Sequence, residues 1–274
     1  MTSIIDILKT LILGIIQGIT EWLPVSSTGH MILFNELWPL QPEAFFDVFK
    51  VVIQFGSILA VLVLYFNKLN PWSSKKSEAK KKQTYDLWIK VIIGCIPAGV
   101  VGLLLDDIVD KYLSAPFVIA ATLIAYGVVF IVVSKNPRKP RITTLDQLTY
   151  KDALKIGCFQ CLALIPGTSR SGATILGGMY EGASRYVASE FSFFIAIPIM
   201  AAASLLKVVK FMIKGYAFSF FQVFLLLLGT LVAFVVSLIA IRTLLNYVRN
   251  HTFEVFGWYR IVLGIIVLIA FYIF

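Results

Sequence analysis

Two short segments concentrate nearly every residue type able to handle a charged, phosphate-like group. The first is Gln17-Gly-Ile-Thr-Glu21-Trp-Leu-Pro24-Val-Ser26-Ser27-Thr28-Gly29-His30. Gln17 and Glu21 are four residues apart, so on a helix they share one face. Three consecutive hydroxyls, a glycine and an imidazole follow at the start of a returning helix. The second is Pro166-Gly-Thr168-Ser169-Arg170-Ser171-Gly172-Ala-Thr174, in which Arg170 takes the place of Thr28. A guanidinium matches the oxygens of a phosphate or carboxylate in bidentate fashion. Helix starts rich in hydroxyls and glycine offer free N–H groups and a dipole that favour anions. Where two such breaks meet, donors and Arg170 hold the oxygens, a hydroxyl attacks and His30 moves the proton. A plainer reading has Glu21 snorkelling to an interface, Ser26 as an ordinary N-cap, and Arg170 as a structural partner of Glu21. The ion pair and the chemical role can coexist.

The elements that carry these segments belong in a bilayer. The 274 residues are 59% hydrophobic and only 14% charged, with a mean hydropathy of +0.87. Soluble domains carry about 25% charged residues. Six stretches are long enough to cross a hydrocarbon core of about 30 Å: Asp47–Tyr65, Leu87–Leu105, Ala115–Ser134, Glu190–Leu206, Phe221–Ile241 and Phe256–Phe274. Two further apolar stretches are interrupted, one at Glu21–His30 and one at Pro166–Gly172. Each piece is short, and each break is rich in Pro, Ser, Thr and Gly. They read as re-entrant helical hairpins, tolerated only where the broken backbone is buried or lines a polar cavity.

The expected fold is therefore an all-α integral membrane protein, one domain over 1–274, with six transmembrane helices and two re-entrant hairpins. Each half, about 1–140 and 150–274, holds one hairpin and three spans. An odd number of crossings inverts the second half, giving an inverted-topology repeat with its site where the halves meet. The duplication is visible: Gly14-Ile-Ile-Gln17 matches Gly157-Cys-Phe-Gln160, and Pro24-Val-Ser26-Ser27-Thr28 matches Pro166-Gly-Thr168-Ser169-Arg170.

Charge sets the expected orientation. Lys68, Lys75, Lys76, Lys80, Lys81 and Lys82 follow the first span; Lys135, Arg138, Lys139, Arg141 and Lys151 follow the third. The opposite side has chiefly Lys111, Lys207, Lys210 and Lys214. The first two loops are thus expected in the cytoplasm, with the first hairpin and both termini outside. The net charge of +9 is assigned to these loops and to anionic headgroups, not to nucleic acid. Residues 1–5 carry no Lys or Arg, so no cleavable signal is expected. Cys95, Cys158 and Cys161 lie in apolar segments and read as packing residues. Glu190 is expected at an interface, Gln54 against a neighbouring helix, and His251 in a polar loop without a role.

The two motifs also carry a resemblance. Gln17-x-x-x-Glu21, Pro24-x-Ser26-Ser27-Thr28-Gly29-His30 and Pro166-Gly-x-Ser169-Arg170-Ser171-Gly172 resemble the signatures of bacterial undecaprenyl-diphosphate phosphatases of the bacitracin-resistance type. The likeness extends over essentially the whole chain, including Glu190-Phe-Ser-Phe and Ile197-Pro198; that family carries Gln or Glu at the position of Gln17. It implies hydrolysis of undecaprenyl diphosphate to the monophosphate and inorganic phosphate at the outer side of the bacterial plasma membrane. That reaction recycles a carrier lipid for peptidoglycan, and surplus activity confers bacitracin resistance. It also implies a divalent cation, Mg²⁺ or Ca²⁺, for which Glu21 is the candidate ligand together with diphosphate oxygens. Ser27 is then the nucleophile and His30 its base or the leaving-group acid. Arg170 stabilises phosphate charge, with Gln17, Ser26, Thr28, Ser169, Ser171 and Thr174 binding substrate. A rival has His30 attack or activate water while Ser27 only binds. The partners are a polyprenyl diphosphate lipid and the membrane, with a homodimer the oligomer to test. A transporter built on inverted repeats is the main competing class, and a non-catalytic lipid-binding scaffold the third. Inward flipping of the monophosphate is a further expectation from the pseudosymmetry.

Overall fold

In the computed structural model the described residues are 2–113, 115–136 and 139–273, with the side chains of 2, 106–111 and 273 excluded. Arg138, Phe274 and the Lys111 side chain, all named above, fall outside them.

The interrupted N-terminal stretch forms α1 (Thr2–Thr20) and α2 (Ser27–Leu37), which pack on each other across a turn at 21–26. The first expected span is two helices, α3 (Glu43–Val52) and α4 (Gln54–Leu64), hinged at Ile53. A single turn, α5 (Phe66–Leu69), leads to α6 (Glu78–Tyr112) and α7 (Pro116–Lys135). The second interrupted stretch forms α8 (Tyr150–Gln160), a 3₁₀ turn (Cys161–Leu164) and α9 (Arg170–Tyr180). Then come α10 (Arg185–Ile213), α11 (Phe220–Asn250) and α12 (Glu254–Ile273). No strand longer than a single bridge, Ile142 with Ala183, occurs among the described residues.

Local sequence accounts for the boundaries. Thr149 and Asp152 form a capping box that starts α8, and Ser219 with Gln222 starts α11 the same way. Pro116 occupies the first turn of α7, where its missing N–H costs nothing.

Seven helical segments among the described residues are long and apolar enough to cross a membrane, not six. The addition is α1. Asp6, Lys9 and Thr10 near its start do not interrupt the helix, and its 19 residues extend about 28 Å at 1.5 Å per residue. Glu190 is buried inside the protein. Because α10 begins at Arg185, Glu190 lies more than a turn inside, buried, with Lys68 Nζ 2.8 Å from its Oε1.

Beyond an apolar core, the burial pattern differs from that of a soluble protein. Leu103, Leu104, Leu227, Leu231, Val262 and Ile266 face outward, whereas Gln17, Ser57, Ser192, Ser237 and Arg260 are buried. A hydrocarbon solvent explains that pattern, since polar groups must find partners inside. The helix contacts come in pairs. α1 packs on α11 and α8 on α6; α4 packs on α11 and α10 on α6; α1 meets α2 and α8 meets α9. At the α7–α12 crossing, a Cβ on Gly127 would stand 2.7 Å from the Gly257 carbonyl oxygen, and a Cβ on Gly257 2.7 Å from that of Gly127. Only glycine permits this backbone approach, and the reciprocity is that of a local two-fold axis.

Candidate active site

Both breaks bring a helix start to the same place, and both do so by the same local device. Ser26 and Ser169 are the only non-glycine residues with positive φ among the described residues, at 73° and 74°. Each caps the helix that follows: Ser26 Oγ accepts from the Gly29 N–H (3.3 Å) and Ser169 Oγ from the Gly172 N–H (3.1 Å). A serine held at positive φ carries strain that the surroundings must over-determine. The hydroxyl cap and the small Gly one turn on are part of that determination.

At the centre stands the Glu21 carboxylate, buried. Its Oε1 accepts from Arg170 Nη2 at 2.7 Å, and its Oε2 accepts from Ser27 Oγ at 2.6 Å and Gln17 Nε2 at 3.1 Å. The Glu21–Arg170 ion pair thus joins residues 149 apart, one from each break. Gln17 is steadied by Ser57 Oγ at 3.4 Å, itself bonded to Ser237 Oγ at 3.0 Å. Arg170 Nη1 donates to the Ser192 carbonyl at 2.9 Å, its guanidinium lies 5.7 Å from the Trp22 ring centre, and its buried Nε has no protein acceptor.

The remaining hydroxyls divide by position. Ser171 Oγ donates to the Glu21 carbonyl at 2.9 Å, tying the second helix start to the first break, and Ser169 Oγ lies 3.1 Å from it. Thr174 Oγ1 is 2.6 Å from Ser192 Oγ and 2.9 Å from the Arg170 carbonyl oxygen, so it braces α9 against α10. Thr28 is half-buried at the start of α2. His30 is half-buried too, and its bonds lead elsewhere: Nδ1 to the Ser26 carbonyl (2.7 Å) and Nε2 to the Tyr259 hydroxyl (2.7 Å). Since the Ser26 carbonyl only accepts, Nδ1 carries a proton, and in the neutral ring Nε2 accepts from Tyr259. The hydrogen bond of the Ser27 hydroxyl goes to Glu21, not to His30.

Comparison with known proteins agrees in extent with this arrangement. The profile of the family described as "Bacitracin resistance protein BacA" matches residues 10–266, which contain every residue above. The chain belongs to the BacA family. It is 54% identical over 272 residues to the undecaprenyl-diphosphatase 1 of Clostridioides difficile, covering 99% of this chain and 98% of that one. It is 53% identical over 269 residues to the undecaprenyl-diphosphatase of Enterococcus faecalis, covering 97% of each. The enzyme of that name from Limosilactobacillus fermentum is 54% identical over 270 residues, 97% of this chain and 98% of its own.

Sequence reasoning passed over five residues that build this BacA-family site: Ser57, Ser192, Ser237, Tyr259 and Arg260. The serines carry no signal, because small hydroxyls are common in packed membrane helices. Arg260 did carry one. It is an ionisable residue in the middle of an apolar span, which by itself asks for a functional explanation.

A divalent cation held by the protein fits these residues poorly. No group of three or more His, Cys, Asp or Glu capable of holding a metal occurs among the described residues. Both Glu21 oxygens already serve donors, one of them cationic. Hard cations need six or more oxygen ligands in sum, so nearly all would have to come from substrate and water.

The strained caps give a testable ordering. Glycine tolerates positive φ and costs little at an N-cap, whereas alanine keeps the strain and loses the acceptor. Ser169→Gly is expected to remain more stable than Ser169→Ala by about 1 kcal/mol, read as the higher thermal midpoint in detergent. Equal midpoints would show that the φ value is not strained.

Proposed function

We propose that this protein hydrolyses undecaprenyl diphosphate to undecaprenyl phosphate and inorganic phosphate, recycling the carrier lipid for cell-wall synthesis and conferring bacitracin resistance. One observation carries the reading beyond its relatives' names. A hydroxyl and a guanidinium from different halves of the chain sit on the two oxygens of a single buried carboxylate. The contacts support a reading in which Ser27 is the nucleophile, Glu21 its base and Arg170 the cation that holds the phosphoryl oxygens.

The chemistry follows from the contacts. A diphosphate entering the site replaces Glu21 on part of the Arg170 fork, whose Nε is already without a protein acceptor. Ser27 Oγ attacks the terminal phosphorus while its proton passes to Glu21 Oε2. The bond to the bridging oxygen breaks and the lipid monophosphate leaves. Water then attacks the phosphoserine and the Ser27 Oγ–P bond breaks; Glu21 returns its proton to Ser27 Oγ, and phosphate leaves carrying both hydrogens of the water. Free N–H groups at the starts of α2 and α9 stabilise the charge that builds on the equatorial oxygens. His30 belongs to the entrance side, where it and the half-exposed Tyr259 stack at 5.7 Å between ring centres. The outward apolar faces of the spans accommodate the polyprenyl tail, which is why the chemistry is done within a bilayer.

The halves are read as inverted repeats in the bacterial plasma membrane, with the site open to the outer side. The paired helix contacts, the matching caps at Ser26 and Ser169 and the reciprocal Gly127–Gly257 approach support that reading. Lys-rich loops on one side support the orientation.

Phosphate release from undecaprenyl diphosphate in detergent micelles tests the activity. The parent is expected to turn over, Ser27→Ala to lose at least about a hundredfold in kcat, and His30→Gln to lose less. No release from well-folded parent, with or without Mg²⁺ or Ca²⁺, would end the enzyme reading. For topology, a single cysteine at Lys75 in a background without Cys95, Cys158 and Cys161 is expected to resist an impermeant maleimide on intact cells, while one at Phe218 reacts. Reaction at both positions, or at Lys75 alone, would refute the orientation.

A further inference from the structure

Arg260 on α12 is completely buried, yet no carboxylate pairs with it among the described residues. Its guanidinium instead donates to three backbone carbonyls: Nη1 to Pro24 at 2.9 Å, and Nη2 to Gly167 at 2.7 Å and Thr168 at 3.0 Å. The rings of Tyr126 and Phe130 lie 5.5 and 5.9 Å away and supply the remaining attraction for the charge.

The three carbonyls are not arbitrary. Pro24 lies in the first break, three residues before Ser27; Gly167 and Thr168 lie in the second, three and two residues before Arg170. Carbonyls in a broken helix lack the N–H four residues on, and in hydrocarbon they must find another donor. A single planar fork supplies it for both breaks at once. The separation of the two tips is then set by a rigid guanidinium, and with it the distance between the Ser27 hydroxyl and the Arg170 fork.

We propose that Arg260 is a positioning residue for the phosphoryl transfer, acting by holding the two broken-helix tips in register. Both of its terminal nitrogens are committed to the backbone, so it does not take over the phosphate-holding role of Arg170. The preceding residue, Tyr259, reaches His30 from the same turn of α12. One turn of one helix therefore registers the first break, the second break and the imidazole. The inference rests on the phosphatase reading above.

The test is a kcat-against-KM comparison for Arg260→Lys and Arg260→Ala with undecaprenyl diphosphate. Lysine keeps the charge but is a point donor that cannot bridge two segments. A misplacement near 1 Å costs up to about a hundredfold in rate, so Arg260→Lys is expected to lose about ten- to a hundredfold in kcat while KM stays within about threefold. Millimolar methylguanidinium is expected to restore at least about fivefold to Arg260→Ala, and methylammonium nothing, since only the planar fork reaches both tips. An Arg260→Lys protein that elutes like the parent and keeps kcat within threefold overturns the proposal, as does one that changes KM alone. If Arg260→Ala does not fold, Arg260→Lys decides. An inactive parent would instead count against the phosphatase reading.

Discussion

Everything near the site depends on one charge pair in the wrong solvent. Glu21 and Arg170 sit where water is scarce, and each charge is tolerable because the other is 2.7 Å away and further hydrogen bonds reach both, from Ser27 to the carboxylate and from the guanidinium to the Ser192 carbonyl. Removing one partner of a buried pair typically costs about 3–5 kcal/mol. The two residues come from breaks in distant parts of the chain, so this cost is also the penalty for separating the halves. Stability and chemistry share the same atoms. A substrate diphosphate can replace the carboxylate on Arg170 without leaving the guanidinium bare.

The arrangement explains why the surrounding backbone is irregular. A continuous helix through Glu21–Ser26 or Ile165–Ser169 would present side chains but no free N–H groups. Breaking it exposes two helix starts, which attract anions, and creates loose carbonyls, which must be satisfied. Serine caps at Ser26 and Ser169 serve the N–H side of that problem, and Arg260 serves the carbonyl side. The apolar exterior pays for none of this directly; it excludes water and so strengthens every polar contact within.

Much of the site was legible because it was written locally. Gln17 and Glu21 at helical spacing, the hydroxyl run beside them and the second copy with Arg170 all belong to short segments whose types state their chemistry. Five of the six expected spans appear as single helices, because length and apolarity suffice to define them. What escaped was of another kind. Ile53 hinges α3 and α4 without a Pro or Gly to announce it. The first interrupted stretch was expected to be short, whereas α1 runs unbroken over Thr2–Thr20. Glu190 gave no sign of its partner, Lys68, which lies 122 residues away. His30 was expected to move the proton of Ser27; the Ser27 hydroxyl donates to Glu21, while His30 bonds the Ser26 carbonyl and Tyr259. Arg260 was visible as an oddity, yet its purpose lies in carbonyls 93 and 236 residues distant.

The central claim is that Glu21 and Arg170 work as one unit built from both halves. A double-mutant cycle on kcat with Glu21→Gln, Arg170→Gln and the combination tests it most directly. Coupled residues are expected to give single losses of at least about a hundredfold and a double loss close to the worse single. Losses that multiply would contradict the account, as would single variants that keep kcat within threefold, because either result would make the pair two independent residues that merely touch.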